Sequence, residues 1–275
     1  MSAGDQAAHL KLYSTPEVAA QYARMDSLSA CEQHVFDNYL RPGMDILDLG
    51  VGGGRTTPYL SAIASRYVGV DYSEEMVLAC RSRFPHLEFE LADAADLSQF
   101  PDASFDAVIF SFNGMDCLAP YGKRENCLRE CHRVLKRGGV YIFSTHNPRS
   151  LFLDWQWDRT RLRSLASKVA RQGLLFDLSL AVLTVGRVAL SVVRSSAKAI
   201  SRGRHRLPSS AFWSGAGYVV DPSAHGARMY CGIPDCVVSE VTRIGFQSLQ
   251  VVPENYPGRT YEYSTRWYYY VASKD

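Results

Sequence analysis

Glycines and carboxylates with a nucleotide-binding spacing lie in the first third of the chain. The largely apolar residues 46–49 lead into a glycine-rich turn at residues 50–54, and a second apolar stretch ends at Asp71. This layout is typical of a β-strand, a tight turn, a helix and a second strand that carries a carboxylate at its tip. Glycine lets the backbone approach a ligand closely, and a carboxylate accepts hydrogen bonds from both hydroxyls of a ribose. The pattern therefore predicts a site for a ligand that contains a ribose.

Three further residues indicate which nucleotide would bind. Arg55 occupies the position at which the dinucleotide pattern G-x-G-x-x-G has its third glycine. Asp48 puts a negative charge at the tip of the first strand, where it would repel a pyrophosphate and attract a cationic amino or sulfonium group. Asp93 follows a third apolar stretch and could accept a hydrogen bond from an adenine amino group. Together these residues favour a nucleoside with a cationic end over a dinucleotide.

The successive motifs of the first half of the chain resemble those of one enzyme family. They read DLGVGGG, VGVDYS, ADAADL, FDAVIFS and LKRGGVYIFS. In this order they are similar to the motifs of class I S-adenosylmethionine-dependent methyltransferases of the group that modifies small molecules, over about residues 40–147. The resemblance implies a Rossmann-like, doubly wound α/β fold, in which a mostly parallel sheet ends in a C-terminal antiparallel hairpin. It also implies S-adenosylmethionine as the methyl donor and S-adenosylhomocysteine as the product.

The resemblance assigns roles to residues of the donor site. At the methionine and ribose moieties, the resemblance implies Gly50 and Gly52 along the methionine, Asp48 near its ammonium group, and Asp71 at the ribose. At the adenine and the sulfonium, it implies Tyr72 and Met76 flanking the adenine, Asp93 and Ala94 at its edge, and Ser111 near the sulfonium. Two N-terminal aromatic residues, Tyr13 and Tyr22, resemble those that close over the donor in related enzymes, and simple packing is the alternative.

The loops after the fourth and fifth strands contain the residues that could act on an acceptor. Methyl transfer from a sulfonium is an in-line displacement in which positioning supplies most of the catalysis, and a general base helps when the acceptor is a hydroxyl. His146 ends the fifth strand, at the edge that faces the donor, and is predicted to be that base or to contact the acceptor. Asn113 and Asp116 follow the fourth strand and could orient the acceptor. The alternatives are a structural His146 and a helix-capping Asp116.

Four segments with different patterns succeed one another along the chain. They are predicted to be an N-terminal helical cap at 1–40, the S-adenosylmethionine-binding core at 41–147, a basic helical insertion or lid at 148–206, and the C-terminal part of the catalytic fold at 207–275. Alternating apolar and amphipathic stretches in the core indicate a parallel sheet with helices on both faces. The last segment contains a predicted helix at 237–246 and two apolar stretches that would form the closing hairpin.

The insertion contributes a large share of the basic residues. Eleven of the 30 Lys and Arg residues lie from Arg159 to Arg206, together with one of the 28 acids, so the rest of the chain is acidic. Its centre, residues 174–193, is apolar apart from a narrow polar stripe. Three interpretations remain open. They are a membrane-spanning helix, which Asp177 and Arg187 disfavour, a helix at an anionic membrane surface, and a lid or subunit contact.

The composition is typical of an enzyme with one substantial core, since 47% of the 275 residues are hydrophobic. Two cysteine pairs, Cys127 with Cys131 and Cys231 with Cys236, have the spacing of a metal half-site. No CxxC motif or histidine pair completes a tetrahedral set, so no metal is predicted. The N-terminus lacks a signal-peptide pattern, so a cytoplasmic location is expected, peripheral at the membrane if the insertion is an interfacial helix.

The expected function is transfer of a methyl group to an oxygen, less favourably a nitrogen, of a small-molecule, sugar, glycan or lipid-linked acceptor. A non-catalytic scaffold that binds the donor is one alternative, and the intact donor-site residues argue against it. An RNA methyltransferase is another. The insertion lacks the interleaved aromatic residues of nucleic-acid-binding surfaces, and the fourth strand exits as SFNG rather than Asn-Pro-Pro-Tyr, so nucleic acid is not the expected partner. No motif indicates the acceptor's identity or the oligomeric state.

Overall fold

The structure is a computed structural model that describes residues 7, 9–11, 13–25, 27–118, 120–150, 210–220, 228–258, 263 and 265–275. The basic residues from 159 to 206, and with them the choice among the three interpretations of the insertion, lie outside this range. In the described ranges, no helix is long and apolar enough to cross a membrane. The boundaries of the four predicted segments stay predictions.

Seven strands form one large sheet, and two more form a small one. The strands are β1 (Met44–Leu49), β2 (Ala64–Asp71), β3 (Glu88–Leu91), β4 (Phe105–Phe110), β5 (Leu135–His146), β6 (Ala216–Val220), β7 (Arg228–Gly232), β8 (Gln247–Pro253) and β9 (Trp267–Ser273). The large sheet has the order β3-β2-β1-β4-β5-β9-β8. Its first five strands pair in parallel, whereas β9 pairs antiparallel with both β5 and β8. This is the predicted mostly parallel, doubly wound sheet with a closing antiparallel hairpin.

The helices begin and end at residues that satisfy their free backbone groups. They are α1 (Pro16–Ala23), α2 (Ala30–Tyr39), α3 (Thr57–Ile63), α4 (Glu74–Arg83), α5 (Tyr121–Val134), α6 (Ser210–Ser214) and α7 (Pro234–Ile244), with a 3-10 turn at Gly114–Cys117. Thr15 caps α1 by accepting a hydrogen bond from the N–H of Val18. Ser29 and Glu32 form a reciprocal capping box at the start of α2. Gly245, in the left-handed region with φ +117°, ends α7.

Apolar side chains cover both faces of the large sheet, which explains why its parallel strands are nearly continuous apolar runs in the sequence. In the central strand, Leu47 pairs with Val68 of β2 and Val108 of β4 and lies in the core on one face. Its neighbour Ile46 lies in the core on the opposite face. Residues 268–270, three consecutive tyrosines, alternate between the two faces and are all buried.

The predicted functional residues converge at one edge of this sheet. The strand order reverses between β1 and β4, and in such sheets ligands bind in the crevice at the carboxyl ends of the strands. The glycine turn at 50–54 follows β1, Asp71 ends β2, residues 111–116 follow β4, and His146 ends β5. The topology therefore brings together side chains that are up to about a hundred residues apart in the sequence.

The chain on both sides of the insertion contributes to this sheet. β5 precedes the insertion and β9 follows it, and the two strands pair from Val140 with Ser273 to His146 with Trp267. Met1–Leu153 and Ser210–Asp275 accordingly form one unit. The small antiparallel sheet of β6 and β7 contacts α6 and the 3-10 turn that follows β4. C-terminal elements thus flank the loop where the predicted acceptor-side residues lie.

The C-terminal end of α1 packs backbone against backbone on the glycine turn. A Cβ added at Gly53 would collide with the backbone of Tyr22 and Ala23. Arg83 holds the same junction, since its Nη1 donates to the carbonyl of Ala23 at 2.8 Å and to that of Gly53 at 3.0 Å. Gly53, the middle one of the three consecutive glycines 52–54, is therefore the point at which the N-terminal helix packs on the turn.

This close approach predicts that Gly53→Ala destabilises the protein by about 1–3 kcal/mol, the usual cost of inserting an atom into a well-packed position. The measurement is the free energy of unfolding in urea. Gly122→Ala is the matched control, because a Cβ at Gly122, in the first turn of α5, meets no atom within 4 Å. Alanine is also the better helix former, so this control should be at least as stable as the wild type. Equal stability of Gly53→Ala and the wild type would contradict the packing described.

Candidate active site

The glycine turn is shaped by a backbone conformation that only glycine adopts easily. Gly52 has φ +55°, in the left-handed region. Its carbonyl accepts a hydrogen bond from the thiol of Cys80 at 3.1 Å, and its N–H points to the tip of β2. Outside the turn itself, the nearest atom to a Cβ added there is on the ring of Tyr22, at 3.5 Å. The turn therefore leaves room beside its backbone for a ligand.

Asp71 is buried at the tip of β2 and holds the turn in place. Its two carboxylate oxygens each accept a backbone hydrogen bond at 2.9 Å, one from Gly52 and one from Ser73. Burial raises the pKa of Asp71 to about 6, and these backbone N–H groups act in the opposite direction. A carboxylate offers about four acceptor sites, so both oxygens can still accept from a ligand hydroxyl. This geometry suits the predicted ribose role.

Asp48 is a second buried carboxylate, near the end of β1. One of its oxygens accepts hydrogen bonds from Thr56 at 2.7 Å and from Tyr67 at 2.9 Å. Burial raises the pKa of Asp48 to about 6, against the effect of those hydrogen bonds and of Arg55. A cation placed beside such a carboxylate would favour its ionised form. The site is therefore suited to a cationic group, as the predicted contact with an ammonium group requires.

The residues predicted around the adenine lie after β2 and β3. Met76 and Ala94 are buried, and the hydroxyl of Tyr72 is buried without a hydrogen-bond partner in the described part of the chain. Burial raises the pKa of Tyr72 far above its ordinary range, so it is a neutral donor. The carboxylate of Asp93 forms an ion pair with Lys123 of α5, so an adenine amino group would join an existing contact. The adenine roles stay predictions.

The two N-terminal tyrosines lie beside the glycine turn. The rings of Tyr13 and Tyr22 meet edge to face, with centroids 5.8 Å apart. The hydroxyl of Ser73, next to the tip of β2, donates to the carbonyl of Tyr13 at 3.0 Å. These contacts bring both tyrosines to the donor side of the sheet, and closure over the donor stays a prediction.

A buried polar cluster that the sequence analysis did not identify connects the glycine turn to the N-terminal helices. Arg55 binds Glu32 of α2 through two hydrogen bonds, from Nη1 at 2.5 Å and from Nη2 at 2.6 Å. Burial lowers the pKa of Arg55, but Glu32 raises it by more, so the side chain stays charged. The signal in the sequence is the Ser29–Glu32 capping box, which predicts a helix start and says nothing of a distant arginine.

The same cluster includes the predicted sulfonium-side residue. The hydroxyl of Ser111 bonds with Glu32 and lies 2.7 Å from the hydroxyl of Tyr269, which itself donates to Glu32 at 2.9 Å. Arg55 lies over the ring of Phe112, with its guanidinium carbon 4.8 Å from the ring centroid. Ser111 is therefore fixed by β9 and α2. Its contact with the donor stays a prediction.

His146 and Asp116 form a hydrogen-bonded pair at the exits of β5 and β4. Nδ1 of His146 lies 2.8 Å from a carboxylate oxygen of Asp116, which also accepts the backbone N–H of His146 at 2.8 Å. Because an ionised carboxylate only accepts, Nδ1 carries the proton and Nε2 carries the lone pair, with Nδ2 of Asn113 3.4 Å away from it. The His146 side chain is 25% exposed, whereas that of Asp116 is 1% exposed. This arrangement is that of a general base with an orienting carboxylate.

The structure corrects the predicted role of Asp116. Its carboxylate is buried and engaged by Thr145, His146 and Arg124, so it cannot orient an acceptor directly. Asp116 instead positions His146. Asn113 does lie beside the base: its Nδ2 is 3.4 Å from Nε2 of His146, and its Oδ1 is buried without a partner in the described ranges. Asn113 therefore lies next to Nε2 of His146, and its contact with an acceptor stays a prediction.

The donor set fits S-adenosylmethionine better than a phosphate-containing cofactor. The single basic residue of the turn, Arg55, is neutralised by Glu32, so it is not available to a pyrophosphate. Two buried carboxylates, Asp48 and Asp71, would accept hydrogen bonds from an ammonium group and from ribose hydroxyls. The unpartnered hydroxyl of Tyr72 is a further polar group for a ligand.

Comparisons with known proteins agree with this chemistry. Residues 47–143 match the family described as "Methyltransferase domain". A protein of Mycolicibacterium smegmatis named probable S-adenosylmethionine-dependent methyltransferase is 35% identical over 105 residues, 38% of this chain and 39% of that protein. An S-adenosylmethionine-dependent methyltransferase from Mesorhizobium loti, 19% identical, superposes with a TM-score of 0.56 over 89% of this chain and 98% of its own. Residues 47–143 form a class I S-adenosylmethionine-dependent methyltransferase domain.

The predicted fold is thereby confirmed, and over residues 47–143 so are the predicted family and its methyl donor. A further relative of the methyltransferase domain is the fatty-acid O-methyltransferase of Mycolicibacterium smegmatis, 32% identical over 118 residues, which are 42% of this chain and 41% of that enzyme. The match spans about two fifths of the length of each of these two relatives. The family match covers residues 47–143, which contain most of the predicted donor-site residues.

Proposed function

We propose that this protein transfers a methyl group from S-adenosylmethionine to an oxygen of its acceptor, with His146 as the general base. The observation that supports the proposal best is the bond between Nδ1 of His146 and buried Asp116, which leaves the lone pair on Nε2, beside the amide of Asn113 and at the edge where the donor site lies. A hydroxyl is a weak nucleophile until its proton is withdrawn, so a base fixed at this place favours oxygen over nitrogen.

When bound, S-adenosylmethionine supplies a methyl group on a positively charged sulfur, a leaving group that needs no further activation. His146 accepts the acceptor's proton on Nε2 as the oxygen forms its bond to the methyl carbon. Asp116 then stabilises the imidazolium through Nδ1–H. A half-turn of the Asn113 amide would bring its unpartnered Oδ1 to the proton now on Nε2. Because His146 is partly exposed, the proton can pass to water.

This role predicts that His146→Ala lowers kcat by about a hundredfold or more, the usual contribution of a general base. Affinity for S-adenosylhomocysteine, measured by isothermal titration, should change little, because His146 lies on the acceptor side. His86→Ala is the matched control, since His86 is an exposed loop residue after α4. The assay is methyl transfer from labelled donor to an extract that contains the acceptor. Full turnover by His146→Ala would contradict the proposed base, and no transfer by the wild type would favour a donor-binding scaffold.

We further propose that the acceptor is lipid-linked or amphiphilic and is met at an anionic membrane surface. Two observations support this class. The segment from Arg159 to Arg206 combines eleven basic residues and one acid with an apolar centre at 174–193, the composition of an interfacial helix. The relative named fatty-acid O-methyltransferase acts on a lipid by its name. A soluble small molecule or sugar enclosed under the same segment is the competing acceptor class.

Binding to vesicles tests this second proposal. Each Lys or Arg near an anionic surface contributes about 1 kcal/mol, screened over a Debye length of about 10 Å at 0.1 M salt. Flotation with anionic liposomes should therefore carry the protein at low salt and lose it as salt rises, and neutral liposomes should carry little. Deletion of 174–193 should abolish flotation and retain donor binding. No flotation of the intact protein at low salt would indicate a soluble acceptor.

A further inference from the structure

A fully buried arginine lies behind the Asp116–His146 pair and is shared between two carboxylates. Arg124 of α5 donates from Nε to both oxygens of Glu240 at 3.0 Å. Its Nη1 reaches Asp116 only at 3.4 Å, and its Nη2 has no hydrogen-bond partner in the described residues. Arg124 is 0% exposed and Glu240 is 7% exposed. The arginine is thus held firmly by Glu240 and loosely by Asp116.

We infer that Glu240 and Arg124 are positioning residues for His146: by holding Arg124, Glu240 leaves Asp116 the negative charge with which it binds His146. This inference rests on the proposed role of His146 as a base. Glu240 lies in α7, outside the residues 47–143 that match the methyltransferase family. A residue in the C-terminal part of the chain would therefore influence how strongly His146 binds a proton, although Asp116 and His146 lie at the ends of β4 and β5.

The geometry explains why the second carboxylate matters. A guanidinium forms its strongest contact with a carboxylate through two parallel N–H groups. Among the described residues neither carboxylate has this fork: Glu240 engages Nε at 3.0 Å, Asp116 meets Nη1 at 3.4 Å beside the carbonyl of Met115, and Nη2 has no partner. Without the charge of Glu240, Arg124 would turn toward Asp116 and neutralise it. Asp116 would then hold the imidazolium less strongly, and His146 would be a weaker base.

The charge balance leads to the same expectation. Arg124, Asp116 and Glu240 together carry one net negative charge in a region that excludes water. A proton on His146 brings the group of four to neutrality, which a low-dielectric interior favours. Burial lowers the pKa of Arg124, but Glu240 and Asp116 raise it by more, so the arginine keeps its charge. The net negative charge of these three buried groups therefore lies beside the ring of His146.

The other titratable groups that face this cluster are uncharged. Among the described residues they include Cys231 and Tyr230 of β7, Tyr270 of β9, Tyr141 of β5 and Cys127 of α5. Burial raises the pKa of Cys231 and of Tyr270 well above their ordinary values, and it raises that of Tyr230 to about 12. Trp267 of β9, whose ring meets that of His146 edge to face at 6.2 Å, does not titrate. The two carboxylates and the arginine therefore dominate the field at His146.

Glu240→Gln tests the inference, because it removes the charge and keeps the shape and an acceptor oxygen for Arg124. The ring of His146, assigned by its loss in His146→Ala, should titrate in NMR spectra about one pH unit lower than in the wild type. The acid limb of the pH profile of kcat/KM should move by the same amount. Glu130→Gln is the matched control, since Glu130 also pairs with an arginine of α5, Arg133, but away from Asp116. This control should leave both midpoints unchanged.

Arg124→Gln is a second variant with the opposite sign. Removing the positive charge should raise the midpoint of His146 by about one pH unit. An unchanged midpoint in either variant, with the folded state verified by circular dichroism, would overturn the inference. The NMR titration needs no turnover, so the two proposals fail separately. A shifted midpoint together with full activity of His146→Ala would retain the positioning network and remove only the catalytic role of His146.

Discussion

The donor site depends on one buried carboxylate that holds two loops together. Asp71 accepts the N–H of Gly52 from the glycine turn and the N–H of Ser73 from the start of α4. The turn has a further bond to β2, since the N–H of Val51 donates to the carbonyl of Val70 at 3.0 Å, whereas Asp71 binds both loops through its side chain. Burial disfavours the charged form of this carboxylate and raises its pKa to about 6. A bound ribose would offset that cost, because its hydroxyls would replace the hydrogen bonds to water that burial removes. The interaction that shapes the turn thus also prepares it for its ligand.

A second buried pair connects this turn to the two ends of the described chain. Arg55 follows the turn, Glu32 lies in α2, and Tyr269 lies in the last strand. Loss of one partner from such a pair leaves an uncompensated buried charge, which costs about 3–5 kcal/mol. The cluster can form only when α2, the turn and β9 are all in place. The cluster therefore fixes the N-terminal helices against the donor site.

The sequence predicts those features of the structure that depend on residues close together in the chain, and misses those that depend on distant contacts. The strands were predictable because buried parallel strands are apolar runs, and Asp71 because the turn and the second strand fix its distance from Gly50. The role of Asp116 was not predictable, since its burial depends on contacts with residues of α5 and α7, which are separate elements of the chain. The pairs of Arg55 with Glu32 and of Arg124 with Glu240 are likewise tertiary. A capping box or a basic residue in a helix does not indicate which distant residue will pair with it.

The central claim is that Asp71 is the anchor of an S-adenosylmethionine site, and isothermal titration with S-adenosylhomocysteine tests it most directly. The account predicts that Asp71→Ala weakens binding by about 1.5–3 kcal/mol, roughly ten- to 150-fold, as expected for lost hydrogen bonds to a charged group. Asp106→Ala is the control, because Asp106 also accepts a backbone N–H, that of Asp45 at 2.8 Å, near the start of β4 at the opposite edge of the sheet. It should bind as the wild type does. Unchanged affinity of Asp71→Ala would contradict the account.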